Sequence, residues 1–297
     1  MILDISDAEY KNLYEIKNNI PPAVSMNDYI EASMKQYFTM LDNQELEESA
    51  YQRFFEENPS FIPGAFEVIG ISGHDAYMCA LISQPRIGKE PLRVPDFMWL
   101  ANDSLNFCPV FIEIEKPTKV QFRKDNVPNA RFNQALDQIT EWEALLDDPK
   151  NRNLFYDTFS IPARLRRKAF RPQYVLIYGR RGEFESDDFK RNKRSNMQSP
   201  DTVIMSFDRL HPDSNAYNTV SAQVRDGKYY VKHIPPTFVY EPNRAEYLHK
   251  LLGFKDRIKD IKMISEERRS FLLERYDYWD EFGRQSFHGI FNAADRE

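Results

Sequence analysis

The chain of 297 residues has only two cysteines, Cys79 and Cys108, which supports neither a disulfide framework nor a cysteine metal knuckle. Both lie in apolar stretches and read as buried, reduced thiols. The five histidines (His74, His211, His233, His249 and His288) include no pair at the spacing of a local ligand set. No apolar run approaches the roughly 18 residues of a membrane-spanning helix. The opening Met1-Ile2-Leu3-Asp4-Ile5 lacks the basic-then-apolar pattern of a secretory signal. There is no GxxxxGK loop, no internal repeat and no low-complexity tract. A soluble cytoplasmic protein is expected, with no membrane partner and no built-in nucleotide hydrolysis.

What is present is large apolar mass and uneven charge. Hydrophobic residues make up 41% and aromatics 14% of the chain, enough for a packed core. The net charge is −6, yet residues 150–200 hold 13 Lys/Arg against 5 Asp/Glu. That segment therefore carries +8 and the remainder −14. An acidic body with one basic segment predicts local contact with a polyanion.

Periodicity divides the chain into three parts: a helical N-terminal extension (1–45), a core (46–212), and a hairpin-and-helix C-terminal extension (213–297). The first is broken at Pro21-Pro22, with Ser25 or Asn27 as a helix cap. An amphipathic helix over 46–57 buries Ala50, Tyr51, Phe54 and Phe55 and ends at Asn58-Pro59. Strands are expected at 65–71, 76–84, 94–101 and 108–115. A helix over 131–147 follows, with Ala135, Ile139, Trp142 and Leu146 on one face. Two continuous apolar runs, 174–178 and 202–205, flank a polar helix at 186–197 and predict a β-α-β unit. Asp226-Gly227 predicts a hairpin between 221–225 and 228–232. Asn243, Glu246 and Gly253 bound a predicted helix, and a last one spans 265–281. In the C-terminal extension Phe271, Tyr276, Trp279 and Phe282 are candidates for packing or for a subunit contact. The order implies an α/β sandwich around a mixed sheet.

The stretch from Val94 to Pro117 carries the chemistry. A hairpin closing about 104/105 sets Asp96 opposite Glu113 and Met98 opposite Phe111. Alternation puts Glu115 on the face of Glu113, and Phe97, Trp99, Val110 and Ile112 on the other, which is expected to be the buried one. Three acids on one small face must share protons or bind a cation. Hard oxygen ligands in this number suit Mg²⁺ or Mn²⁺. Retaining glycoside hydrolysis also uses two close carboxylates, but it leaves the basic segment without a role. Gln134 and Gln138 lie one turn apart beside the apolar stripe of the 131–147 helix, within reach of the acid face. Glu48 sits at the border of its own helix's apolar stripe.

Pro95-Asp96, Glu113-Ile114-Glu115-Lys116-Pro117 and the run Ala135-Leu136-Asp137-Gln138-Ile139-Thr140-Glu141-Trp142 resemble the PD-(D/E)XK nuclease domain of Shedu anti-phage defence proteins. The helix from Glu48 to Pro59 is similar to that domain's opening helix. Tyr174–Tyr178 and Val203–Leu210 are similar to its closing strands. The resemblance covers about 46–212, and more loosely the hairpin to about 240. It implies a restriction-endonuclease-like fold in which Asp96 and Glu113 hold the metal, with Gln138 and Glu48 as auxiliary residues. The family often has Lys two positions after the metal-binding Glu; here Glu115 stands there, as an extra ligand or a partner of the attacking water. Lys116 is expected to point to the opposite strand face.

The implied activity is Mg²⁺-dependent (or Mn²⁺-dependent) hydrolysis of DNA phosphodiesters in anti-phage defence, by a homo-oligomer, a dimer or tetramer. The alternative is a nuclease-fold DNA-binding or regulatory protein with weak or no activity. Arg164, Arg166, Arg167, Lys168 and Arg171 are the candidates for backbone contacts. Arg180, Arg181, Lys190, Arg191, Lys193 and Arg194 form a second set.

Overall fold

The computed structural model describes residues 14–66, 76–88, 94–285 and 295–297. The expected strand at 65–71 lies mostly outside them. Helix α1 (Met26–Asp42) starts where Ser25 Oγ accepts from the Asp28 N–H, and α2 (Glu48–Glu57) follows. Strands β1 (Ala80–Ser83), β2 (Phe97–Asn102) and β3 (Asn106–Ile114) come next. The long α3 (Ala130–Asp147), capped by Asn129, leads to α4 (Pro149–Thr158) and α5 (Ala163–Arg166). Strands β4 (Ala169–Phe170) and β5 (Gln173–Ile177), helix α6 (Asp188–Asn196) and strand β6 (Thr202–Met205) close the expected core.

The β2–β3 hairpin takes the register that alternation requires: Phe97 pairs with Ile112 and Met98 with Phe111, which sets Asp96 across from Glu113. Next to it β3, β5 and β6 run parallel, with α6 making the crossover from β5 to β6. Beyond them β7 (Val220–Arg225) and β8 (Lys228–His233) form the expected hairpin, Asp226 and Gly227 both taking positive φ. β7 pairs in parallel with β1. One mixed sheet results, in the order β6-β5-β3-β2-β1-β7-β8-β9, with β9 (Leu251–Leu252) at the edge and β4 beside β3. The segment after Pro212 thus extends the same sheet and shares the core that contains Phe111, Trp142 and Trp279.

Two expectations are corrected. Both sheet faces are buried, not one: α1 and α2 cover Phe97, Trp99, Val110 and Ile112, while α3 covers the face of Met98 and Phe111. The helix expected over 243–253 is only α7 (Ala245–Leu248). Leu251–Leu252 form β9 against Tyr229–Tyr230, because an edge strand against β8 wins over local helix propensity, and Gly253 (φ 76°) turns the chain into α8 (Phe254–Ile258). In α9 (Glu266–Arg284) Trp279 and Phe282 are buried inside the chain, the packing role open to them.

Candidate active site

The acids gather where β2 begins and β3 ends. Asp96 sits just ahead of β2, its Oδ2 accepting from the Ile114 N–H at 2.8 Å. Burial pushes its carboxyl up to about 7, and nearby Glu48 adds to the rise. Glu113 is raised well above the usual carboxylate range, first by burial, then by the charges of Asp96 and Glu48. Both groups thus hold their protons to higher pH than an ordinary carboxyl does. One oxygen of Glu113, Oε2, is buried without a hydrogen-bond partner among the described residues.

Gln138 comes from α3, whose apolar stripe of Phe132, Ala135, Ile139 and Trp142 seals the acid face of the sheet. Its buried side-chain amide hydrogen-bonds Glu113, while Gln134, one turn away, is exposed. Glu48 arrives from α2, which covers the other face. Helical spacing of i, i+4, i+8 aligns Glu48, Gln52 and Glu56 along one side of α2. Gln52 Nε2 donates to the Asp96 carbonyl at 3.5 Å and to Ser83 Oγ at 3.2 Å. Glu56 Oε1 accepts from Ser83 Oγ and Lys232 Nζ, both at 2.5 Å. Burial alone would raise Glu56; Lys232 and Ser83 overcome it and hold the carboxyl below its ordinary value.

Glu115 has another partner. Lys119 forms an ion pair with it and lies 3.6 Å from Glu48. Lys119 also lies close enough to Asp96 and Glu113 to counter part of their rise. Lys119, Gln52 and Glu56 were not among the expected site residues. The two α2 residues had a signal in their spacing from Glu48; Lys119 sits in an irregular loop with none. Lys116 pairs with Glu47, the residue before Glu48.

The basic residues expected to hold DNA are elsewhere. Lys168 donates to Asn102 Oδ1 at 2.7 Å, at the turn end of the β2–β3 hairpin. That is six residues of strand, about 20 Å, from Asp96. Arg164 pairs with Glu246 at 3.1 Å, and Arg166 pairs with Asp157 and donates to the Ile161 and Tyr156 carbonyls. Arg167 and Arg171 belong to the same end, flanking Lys168 and β4. In the second set, Arg180 pairs with Asp208 at 2.8 Å. Arg194 bonds the buried Gln121, and Lys193 reaches the Asn126 carbonyl at 2.9 Å. These last two fasten the loop between β3 and α3.

Among the described residues no group of three His, Cys, Asp or Glu side chains forms a ready-made metal cage. The donor set instead suits Mg²⁺ or Mn²⁺, which bind through one or two carboxylates and keep their other positions for water and substrate oxygens. Asp96 and Glu113 would be the carboxylates to hold such an ion, and Oε2 of Glu113 is buried with no hydrogen-bond partner among the described residues.

A model of the C-terminal region of the Shedu protein SduA matches residues 45–211, more than half of the chain. The chain belongs to the Shedu family. Shedu is an anti-phage defence family, and the matched span holds the acids, α3 and strands β1 to β6 of this Shedu chain. No curated protein matches. No helix among the described residues is long and apolar enough to cross a membrane.

Proposed function

We propose that this Shedu chain is a metal-dependent DNA endonuclease with a PD-(D/E)XK-type site. The observation that carries the reading is the opposed pair Asp96 and Glu113, two carboxyls whose proton affinity burial raises, that of Glu113 further by the charge of Asp96. Such a pair is unfavourable in a merely structural hairpin and is relieved by a divalent cation. A bound Mg²⁺ or Mn²⁺ would activate water and neutralise charge developing on the scissile phosphate.

The chain's own residues prepare that chemistry. The Ile114 N–H fixes Asp96, and Gln138 fixes Glu113, near enough for the charge of Asp96 to act on Glu113. Glu48 adds negative charge from α2. Lys119 balances it and tethers Glu115, which stands in the place often taken by lysine. That lysine position supports a second reading, a DNA-binding protein of this fold that cuts weakly or not at all.

Incubation of the purified protein with supercoiled plasmid and Mg²⁺ or Mn²⁺ separates the two. Nicking or linearisation that disappears in Glu113→Gln supports the nuclease. Binding without cleavage under both metals overturns it in favour of the second reading.

A further inference from the structure

Beside the acids the surface opens into a cleft of about 480 Å³ lined by Lys116, Thr118, Lys119, Asn129, Arg131 and Tyr178. In a chain of net charge −6, this lining carries three cations and no carboxylate. Lys119 belongs to both places: it lines the cleft and pairs with Glu115 at the edge of the acid site. Arg131, in the first turn of α3, is exposed and has no carboxylate partner among the described residues. Lys116 pairs with Glu47, whose side chain is 74% exposed. A pair that wet contributes little and gives way to a stronger anion.

The walls are built, not loose. The Lys119 N–H donates to the Lys116 carbonyl at 3.1 Å, closing the turn that carries both lysines. Farther along the loop, Glu183 accepts from the Gln121 and Phe122 N–H groups, each at 2.8 Å. The Asn129 N–H donates to the Gln121 carbonyl at 2.7 Å, which joins the loop to the start of α3.

We propose that this cleft, and not the Arg164–Arg171 segment, seats the sugar–phosphate backbone of the nucleic acid. The inference rests on the phosphodiester reading of the acid site. Lys116 and Arg131 would each meet a phosphate flanking the scissile one, with the Thr118 and Tyr178 hydroxyls and the Asn129 amide as neutral donors. Contacts of this kind hold the backbone without reading sequence.

The test is equilibrium binding of a fluorescent DNA duplex to the full chain in Ca²⁺ and in EDTA, over a range of salt. Lys116→Gln and Arg131→Gln are each expected to weaken binding and to make log K against log[salt] shallower by about 0.9, one phosphate contact apiece. Unchanged melting temperatures identify the loss as one of contact. Cleft variants that bind like the parent, with the loss confined to Arg167→Gln or Arg171→Gln, overturn the inference while leaving the nuclease reading intact. Absence of DNA binding by the parent overturns both. Binding that depends on the cleft, with no cleavage under any divalent metal, sustains this inference and removes only the nuclease.

Discussion

Gly179 stands directly against the backbone of Lys119: a Cβ at Gly179 would lie 2.7 Å from the Lys119 carbonyl oxygen, and its φ of +65° is one that side chains rarely adopt. The residue after Tyr178 therefore fixes how closely the lysine-bearing loop approaches the sheet. Gly179→Ala is expected to destabilise the fold by about 1–3 kcal/mol through backbone strain and the forced loop shift. A thermal melt checks this. Because the shift falls on Lys119, cleavage should drop more than the loss of folded protein accounts for.

The raised carboxyl of Asp96 makes stability depend on pH. Folded, the group titrates near 7; unfolded, near its ordinary 3.8. Between those values the folded state holds the extra proton, so the parent loses stability as pH rises from about 4 to 7 and levels off above. Asp96→Asn removes that loss. The variant should be more stable than the parent by on the order of 4 kcal/mol at pH 8, and the advantage should vanish near pH 4. Chemical denaturation at the two pH values measures it. Adding Mg²⁺ should raise the melting temperature of the parent and leave the variant unmoved.

Glu183 anchors the loop between β3 and α3 through two backbone N–H groups. Glu183→Ala leaves both donors unpaired and should cost about 2–4 kcal/mol. Amide exchange at Gln121 and Phe122 should accelerate well ahead of exchange in β3 and β5. Equal protection in variant and parent would contradict the anchoring role.

Far from the acids, Arg268 is buried in an ion pair with Glu297 and also donates to the Pro21 and Phe238 carbonyls, at 3.0 and 2.7 Å. Arg268→Ala strands a carboxylate and two carbonyls and is expected to cost about 3–5 kcal/mol. Glu297→Gln, which keeps neutral acceptors, should cost less. A larger loss in Glu297→Gln than in Arg268→Ala would refute this ordering.

The hairpin register was legible because side chains alternate with a period of two, and only one pairing keeps Phe97 and Ile112 together while the acids share a face. The β-α-β unit around α6 was legible for a similar reason: apolar runs covered on both faces have few alternatives. Charge was far less legible. A row such as Arg164 to Arg171 gives no direction, and several of those cations serve nearby carbonyls and carboxylates at the opposite end of the sheet. Lys119 was invisible because its position depends on Gly179, sixty residues away, and on no local period. β9 was missed because β8 offered an open edge that outweighed the helical pattern around Glu246.

The parallel seam between β1 and β7 has a practical corollary. Ending the chain at Pro212 would strip β1 of its neighbour, from Ala80↔Val220 to Ile82↔Ala222, and leave a naked hydrogen-bonding row beside the strand that leads to Asp96. It would also take Lys232 away from Glu56. A fragment cut to the family-matched span would be a sticky, self-pairing object, so its failure to cut DNA would report damage and not chemistry.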